Sequence, residues 1–206
     1  VFIFGGINTR ILFQGDSITD AGSYKKDGKE ITGYGKFVVE ALGEEHEYFN
    51  RGVSGNRIVD VLARYDQDVK AIEPDVMTLL IGINDVWRRF DSGLYTSAEA
   101  YGKTVREFLT KFKTDFPKAK LILLEPYLVP FDGKEYFRPV LAEFIAQIRK
   151  IAVEFADGYI PLDGLFAKEN MTVPAEELSA DGVHPALKGQ EMIARYLVAE
   201  IKRVCN

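Results

Sequence analysis

The chain has 206 residues, 47% of them hydrophobic, and carries 26 Lys and Arg against 31 Asp and Glu, a net charge of −5. That length builds one full core without disulfides or metals, so a single domain over residues 1–206 is expected, and the apolar content excludes intrinsic disorder. The acidic balance argues against a nucleic-acid partner, the single Cys205 excludes a disulfide framework, and no apolar run approaches the ~20 residues of a membrane span.

Short β-branched or Leu-rich runs at 11–13, 47–49, 76–81, 121–124 and 159–162 predict five strands. Most are continuously apolar rather than alternating, as parallel strands covered on both faces require. Between the third and fourth, Thr96-Ser97-Ala98-Glu99 reads as a capping box. It opens a helix with Tyr101, Val105, Phe108, Leu109, Phe112 and Phe116 on one stripe. After the fourth strand, residues 126–137 read as a loop that can wall a pocket or form a subunit contact. Phe137, Val140, Leu141, Phe144, Ile145, Ile148, Ala152 and Phe155 then repeat at helical spacing. Pro161 inside the fifth run places that strand at a sheet edge. The last helix is expected to begin at Pro185, with Ile193, Tyr196, Leu197 and Ile201 facing inward. Strand–helix alternation of this kind gives an α/β fold: a three-layer α/β/α sandwich with a mainly parallel five-stranded sheet and right-handed crossovers.

Four polar clusters follow the strands: Gly15-Asp16-Ser17-Ile18, Gly52-Val53-Ser54-Gly55-Asn56, Gly82-Ile83-Asn84-Asp85 and Asp181-Gly182-Val183-His184-Pro185. In an open parallel sheet the carboxyl ends of the strands share one edge, where ligands bind, so these distant clusters are expected to meet. Together they hold a hydroxyl, an approachable glycine N–H, a carboxamide, an imidazole and a carboxylate. That is the inventory of nucleophilic acyl transfer.

These blocks, with Ser17, Gly55, Asn84 and His184 in that order, resemble the GDSL, or SGNH, hydrolases from about residue 11 to 195. The one departure is Ile18 for the usual Leu, a volume-conserving change. The stretches 15–20, 52–56 and 81–88 look like the acetylxylan-esterase branch. The resemblance implies a flavodoxin-like SGNH hydrolase fold with Ser17 as nucleophile, His184 as base and Asp181 orienting the ring. It also implies an oxyanion hole made by the Ser17 and Gly55 N–H groups and the Asn84 side chain.

The remaining polar residues have plainer readings. Ser54 lacks the surrounding spacing of a Gly-x-Ser-x-Gly elbow. His46, within Glu44-Glu45-His46-Glu47, is expected on the solvated surface. Asp16 and Asp85 are expected to brace loops through backbone hydrogen bonds, and Thr19 and Asp20 to start a helix. Trp87 is either a sugar-stacking platform or a plug under its loop, and Arg88 beside it is a candidate substrate contact. No cofactor or metal is expected, because His-Glu-x-x-His, clustered cysteines and a Gly-rich phosphate loop are all missing.

The expected function is a serine esterase removing small acyl groups, acetyl foremost, from oligosaccharides through an acyl-enzyme. A lysophospholipase or thioesterase with the same triad, and a non-catalytic carbohydrate-binding protein, are the alternatives. The charged stretches at 25–30 and 88–89 favour a polar substrate. The expected partner is a small-molecule or oligosaccharide ester, with no nucleic acid and no membrane; a homo-oligomer stays open. The chain opens at Val1 with no basic-then-apolar leader, and a cytoplasmic location is the expectation.

Overall fold

A computed structural model of the chain describes residues 8–23, 30–131 and 133–206. The charged stretch at 25–30, apart from Glu30, lies outside them. One sheet carries five parallel strands: β1 (Arg10–Gly15), β2 (Glu47–Asn50), β3 (Val76–Leu80), β4 (Lys120–Leu124) and β5 (Gly158–Ile160). Their order is β2-β1-β3-β4-β5. Between β1 and β3 the winding reverses direction, and the crevice at such a switch point is where open α/β sheets bind ligands.

The central strands are mostly apolar because helices cover both faces; Gln14 of β1 and Thr78 of β3 are the buried polar exceptions. Leu121, Ile122 and Leu123 are fully buried, and each such side chain contributes roughly 1.5–3 kcal/mol of transfer free energy. On one side α2 (Tyr34–Leu42) packs on α9 (Leu187–Cys205). On the other, α5 (Ala98–Asp115) lies between α3 (Ile58–Ala63) and α6 (Arg138–Phe155). The expected stripe of α5 is buried from Tyr101 to Phe112, and α6 buries Leu141, Phe144, Ile145, Ile148 and Ala152. The described residues also form α1 (Ser17–Asp20), α4 (Ile83–Asp91), α7 (Leu162–Glu169) and α8 (Ala175–Leu178), with a π-helical turn at Asp66–Lys70 and a 3₁₀ turn at Glu135–Phe137. No helix among the described residues is long and apolar enough to cross a membrane.

Several local expectations shift. β5 does lie at the sheet edge, but Pro161 is past its end and caps α7. The α5 cap moves by one residue: Ser97 Oγ accepts the Ala100 N–H at 3.1 Å, and Ala100 has no carboxylate to reciprocate. Pro185 precedes α9, paired antiparallel with Ser179, and Tyr196 is only half-buried. His46 is not solvated. It is 6% exposed and meets Tyr48 edge-on at 6.2 Å, while the flanking Glu45 and Glu47 face outward.

Candidate active site

β1 ends at Gly15, and Asp16 turns the chain into α1 by accepting the Ile18 N–H on Oδ1 at 3.0 Å. This puts Ser17 at the first position of a short helix, immediately past the strand. Burial pushes the Asp16 carboxyl up to about 7 against the Ile18 bond, with the charge of Asp85 adding to the rise.

The loop after β2 presses directly on this turn. A Cβ at Gly52 would stand 2.3 Å from the Asp20 N and 2.9 Å from the Asp16 O, so no side chain fits there. Asn50 clamps the joint by donating Nδ2 to Thr19 O at 2.7 Å and accepting the Gly52 N–H at 2.9 Å. Farther along, Val53 N–H donates to Gly15 O at 3.2 Å and Asn56 N–H to Val53 O at 3.1 Å. The Gly55 N–H between them takes part in neither bond.

Asn84 sits, buried, in the first turn of α4 and donates Nδ2 to Asn56 O at 3.1 Å. That link ties the third block to the second one residue from Gly55. The Nδ2 of a carboxamide carries two hydrogens, so one bond does not exhaust it. Asn56 is held from the other side by Arg64, whose Nε and Nη2 donate to Oδ1 at 3.1 and 2.8 Å. Asp85 accepts the Ile58 N–H at 3.1 Å and thereby anchors α3 to α4. Both carboxylates thus brace loops, as their positions suggested.

The fourth block is a tight clamp. Ser179 donates Oγ to His184 O at 2.8 Å. Asp181 Oδ1 accepts the N–H groups of Val183 at 3.0 Å and His184 at 2.8 Å. Its Oδ2 faces His184 Nδ1 at 2.9 Å, and His184 Nε2 faces Ser17 Oγ at 2.9 Å. An ionised carboxylate only accepts, so the proton belongs on Nδ1 and Nε2 is left to accept from the Ser17 hydroxyl. Burial raises the Asp181 carboxyl, but the two bonds from His184, the Lys134 ammonium and the Val183 N–H outweigh it and hold Asp181 well below the usual carboxylate range.

Ser17, His184 and Asp181 therefore stand in one hydrogen-bonded line, and the first three blocks are joined to each other by bonds. Trp87 is half-buried; its ring centroid lies 6.3 Å from that of His184 and 5.6 Å from the fully buried Phe137. Arg88 pairs with Asp91, and its Nη2 lies near Gly55. The loop before α6 reaches the fourth block at two points: Val129 N–H donates to Gly182 O at 2.8 Å, and Lys134 reaches Asp181. Beyond Trp87 lies an exposed rim, with Phe90 against Tyr136 at 4.8 Å and Arg89 over Phe90 and Tyr95. Lys134, Arg64 and Phe90 were missed in the sequence, although Tyr136 falls in the loop marked there as one that can wall a pocket. Lys134 acts on a carboxylate 47 residues away, Arg64 on a side chain eight residues back, and no motif marks either. Among the described residues, no group of three or more His, Cys, Asp or Glu is arranged to hold a metal ion.

The profile of the GDSL-like lipase/acylhydrolase family matches residues 13–192. The chain is 30% identical to an acetylxylan esterase of Geobacillus stearothermophilus, over 95% of both proteins. Among solved structures, a candidate GDSL-like lipase from Parabacteroides merdae superposes with a TM-score of 0.86 at 32% identity, over 96% of each chain. A catalytic mutant of Axe2, an acetylxylan esterase from G. stearothermophilus, superposes with a TM-score of 0.84 at 28% identity, over 97% of this chain and 96% of that one.

Proposed function

The chain belongs to the GDSL-like lipase/acylhydrolase family and is a carboxylic ester hydrolase; on that footing we propose that it removes short acyl groups, acetyl foremost, from carbohydrate such as xylooligosaccharides. The observation that carries this reading is the line from Ser17 Oγ through His184 to Asp181, with both links at 2.9 Å.

Ser17 attacks the ester carbonyl carbon as His184 Nε2 takes its proton. The negative charge that grows on the carbonyl oxygen is met by the Ser17 and Gly55 N–H groups and by Asn84 Nδ2. His184 then hands the proton to the leaving alkoxide, and the acyl group stays on Ser17. Water, deprotonated by the same imidazole, attacks this ester, releases the acid and restores the hydroxyl. Asp181 fixes the ring's tautomer and stabilises the imidazolium in both halves. In support, catalytic mutants of Axe2 alter a serine, an aspartate and a histidine, and the last two stand three residues apart, as Asp181 and His184 do.

On the alcohol side, the face of the Trp87 indole that the Lys134 ammonium does not cover offers an apolar surface, and Arg88 offers donors to sugar hydroxyls. The second reading, a lipid-type acyl hydrolase, draws on the exposed rim of Phe90, Tyr95 and Tyr136, which gives a longer chain an apolar surface. Initial rates on acetylated xylooligosaccharides and on lysophospholipid decide between them. Turnover of the former is expected, and a preference for the latter would reverse the assignment.

A further inference from the structure

Lys134 lies in the loop between β4 and α6, and its side chain is only 13% exposed. Its ammonium donates to the backbone O of Asp181 at 2.7 Å and to Asp181 Oδ2 at 3.0 Å. It also sits 4.4 Å from the Trp87 ring centroid and 5.5 Å from that of Phe131. Lysines ordinarily keep the charged head in water. Here the head is drawn inward, and a carboxylate, a carbonyl and an indole face offset the lost hydration.

The oxygen it takes is the one that holds the catalytic ring. Asp181 Oδ2 is shared between Lys134 Nζ and His184 Nδ1, while Oδ1 is occupied by two backbone N–H groups. A carboxylate that already carries a full cation stabilises a second one less.

We propose that Lys134 is a positioning residue for the hydrolysis: its ammonium fastens the loop to Asp181 and tempers how strongly that carboxylate favours a proton on His184. The proposal rests on the reading of Ser17, His184 and Asp181 given above. The other groups that bear on this pair are Ser17 from α1, which faces His184, and Tyr127, whose hydroxyl lies within reach of the Asp181 charge. The Tyr127 hydroxyl is raised far up by burial and then by the charges of Asp16 and Asp181. Arg88 of α4 is paired with Asp91.

The test is the pH profile of kcat/KM for the wild type, Lys134→Met and Lys134→Arg. It is paired with proton NMR titration of the His184 ring in the Ser17→Ala background, which needs no turnover; the chain has only two histidines to assign. Removing the charge should move the acid limb and the ring's titration upward by roughly 0.5–1 pH unit, the size a partly solvated charge at this range exerts. Lys134→Arg should restore the wild-type limb. Should the Met variant fail to fold, Lys134→Gln removes the charge while keeping a donor. A limb and ring titration unmoved by loss of the charge, or displaced equally by Lys134→Arg, overturns the proposal. Turnover surviving in Ser17→Ala would instead overturn the triad reading, and the two failures are distinct.

Discussion

Ser54 donates its hydroxyl hydrogen to Asp20 Oδ2 at 2.8 Å, across the joint between the first two loops. The hydroxyl that stands in a Gly-rich block and invites reading as a nucleophile is thus committed to holding that joint, while Ser17 faces an imidazole. A serine-directed phosphonate should label Ser17 alone, and Ser17→Ala should lose nearly all turnover with its circular dichroism unchanged. Ser54→Ala should keep the nucleophile, losing only about 0.5–1.5 kcal/mol of stability with its hydrogen bond. Mass-spectrometric detection of the adduct on Ser54 would refute the assignment.

Asn84 is buried, and its bond to Asn56 O holds the carboxamide beside the second loop. A donor that acts on charge present only in the transition state affects kcat and not ground-state binding. With p-nitrophenyl acetate, Asn84→Ala should lower kcat by about 10²–10³ and leave KM nearly unchanged. A large rise in KM at constant kcat would make Asn84 a substrate-binding residue.

The parts of the molecule legible in the sequence are those whose cause is local. The strands at 76–80 and 120–124 are legible as the runs 76–81 and 121–124 because burial on both faces demands mostly apolar residues, Thr78 being the polar exception within them. The four blocks are legible because each loop's chemistry lies within a few residues. Where one residue type suits several settings, boundaries slip. Proline fits a strand end, a loop and a first helical turn, so Pro161 and Pro185 were each placed in the neighbouring element. His46 misleads because its acidic neighbours describe the outer face of the chain while the ring turns inward to Tyr48. Lys134 leaves no local trace at all, since its carboxylate lies 47 residues away.

Two buried carboxyls make the fold pH-sensitive in a direction opposite to most acidic side chains. Burial pushes both Asp16 and Asp85 up to about 7. A raised folded-state value means that the native protein holds the proton more tightly than the unfolded chain. The resulting stabilisation is full below the unfolded value near 3.8 and is lost as the pH rises through about 7. Thermal melts of the wild type and of Asp16→Asn, which keeps the Oδ1 acceptor without the charge, should therefore diverge as the pH rises. The difference should grow in the variant's favour from pH 4 to 7 and level off above. A difference independent of pH over that window would show that Asp16 titrates as an ordinary exposed carboxyl.

On the acyl side, a pocket shaped for acetyl excludes longer chains by clash, and every misplaced methylene costs orientation of the carbonyl toward Ser17. Measured kcat/KM should fall steeply from acetyl to butyryl to octanoyl p-nitrophenyl esters. On the alcohol side, the Trp87 ring is held by Phe137 and capped by Lys134, so it is a fixed wall beside His184 rather than a loose side chain. A fixed aromatic surface helps only a substrate with an extended face to lay on it. Trp87→Ala should therefore cost acetylated xylooligosaccharides more of their kcat/KM than it costs p-nitrophenyl acetate. Equal losses on the two substrates would assign Trp87 to packing alone. Rates that climb toward octanoyl would move the aromatic rim of Phe90 and Tyr136 to the acyl side and leave Ser17, His184 and Asp181 in their roles.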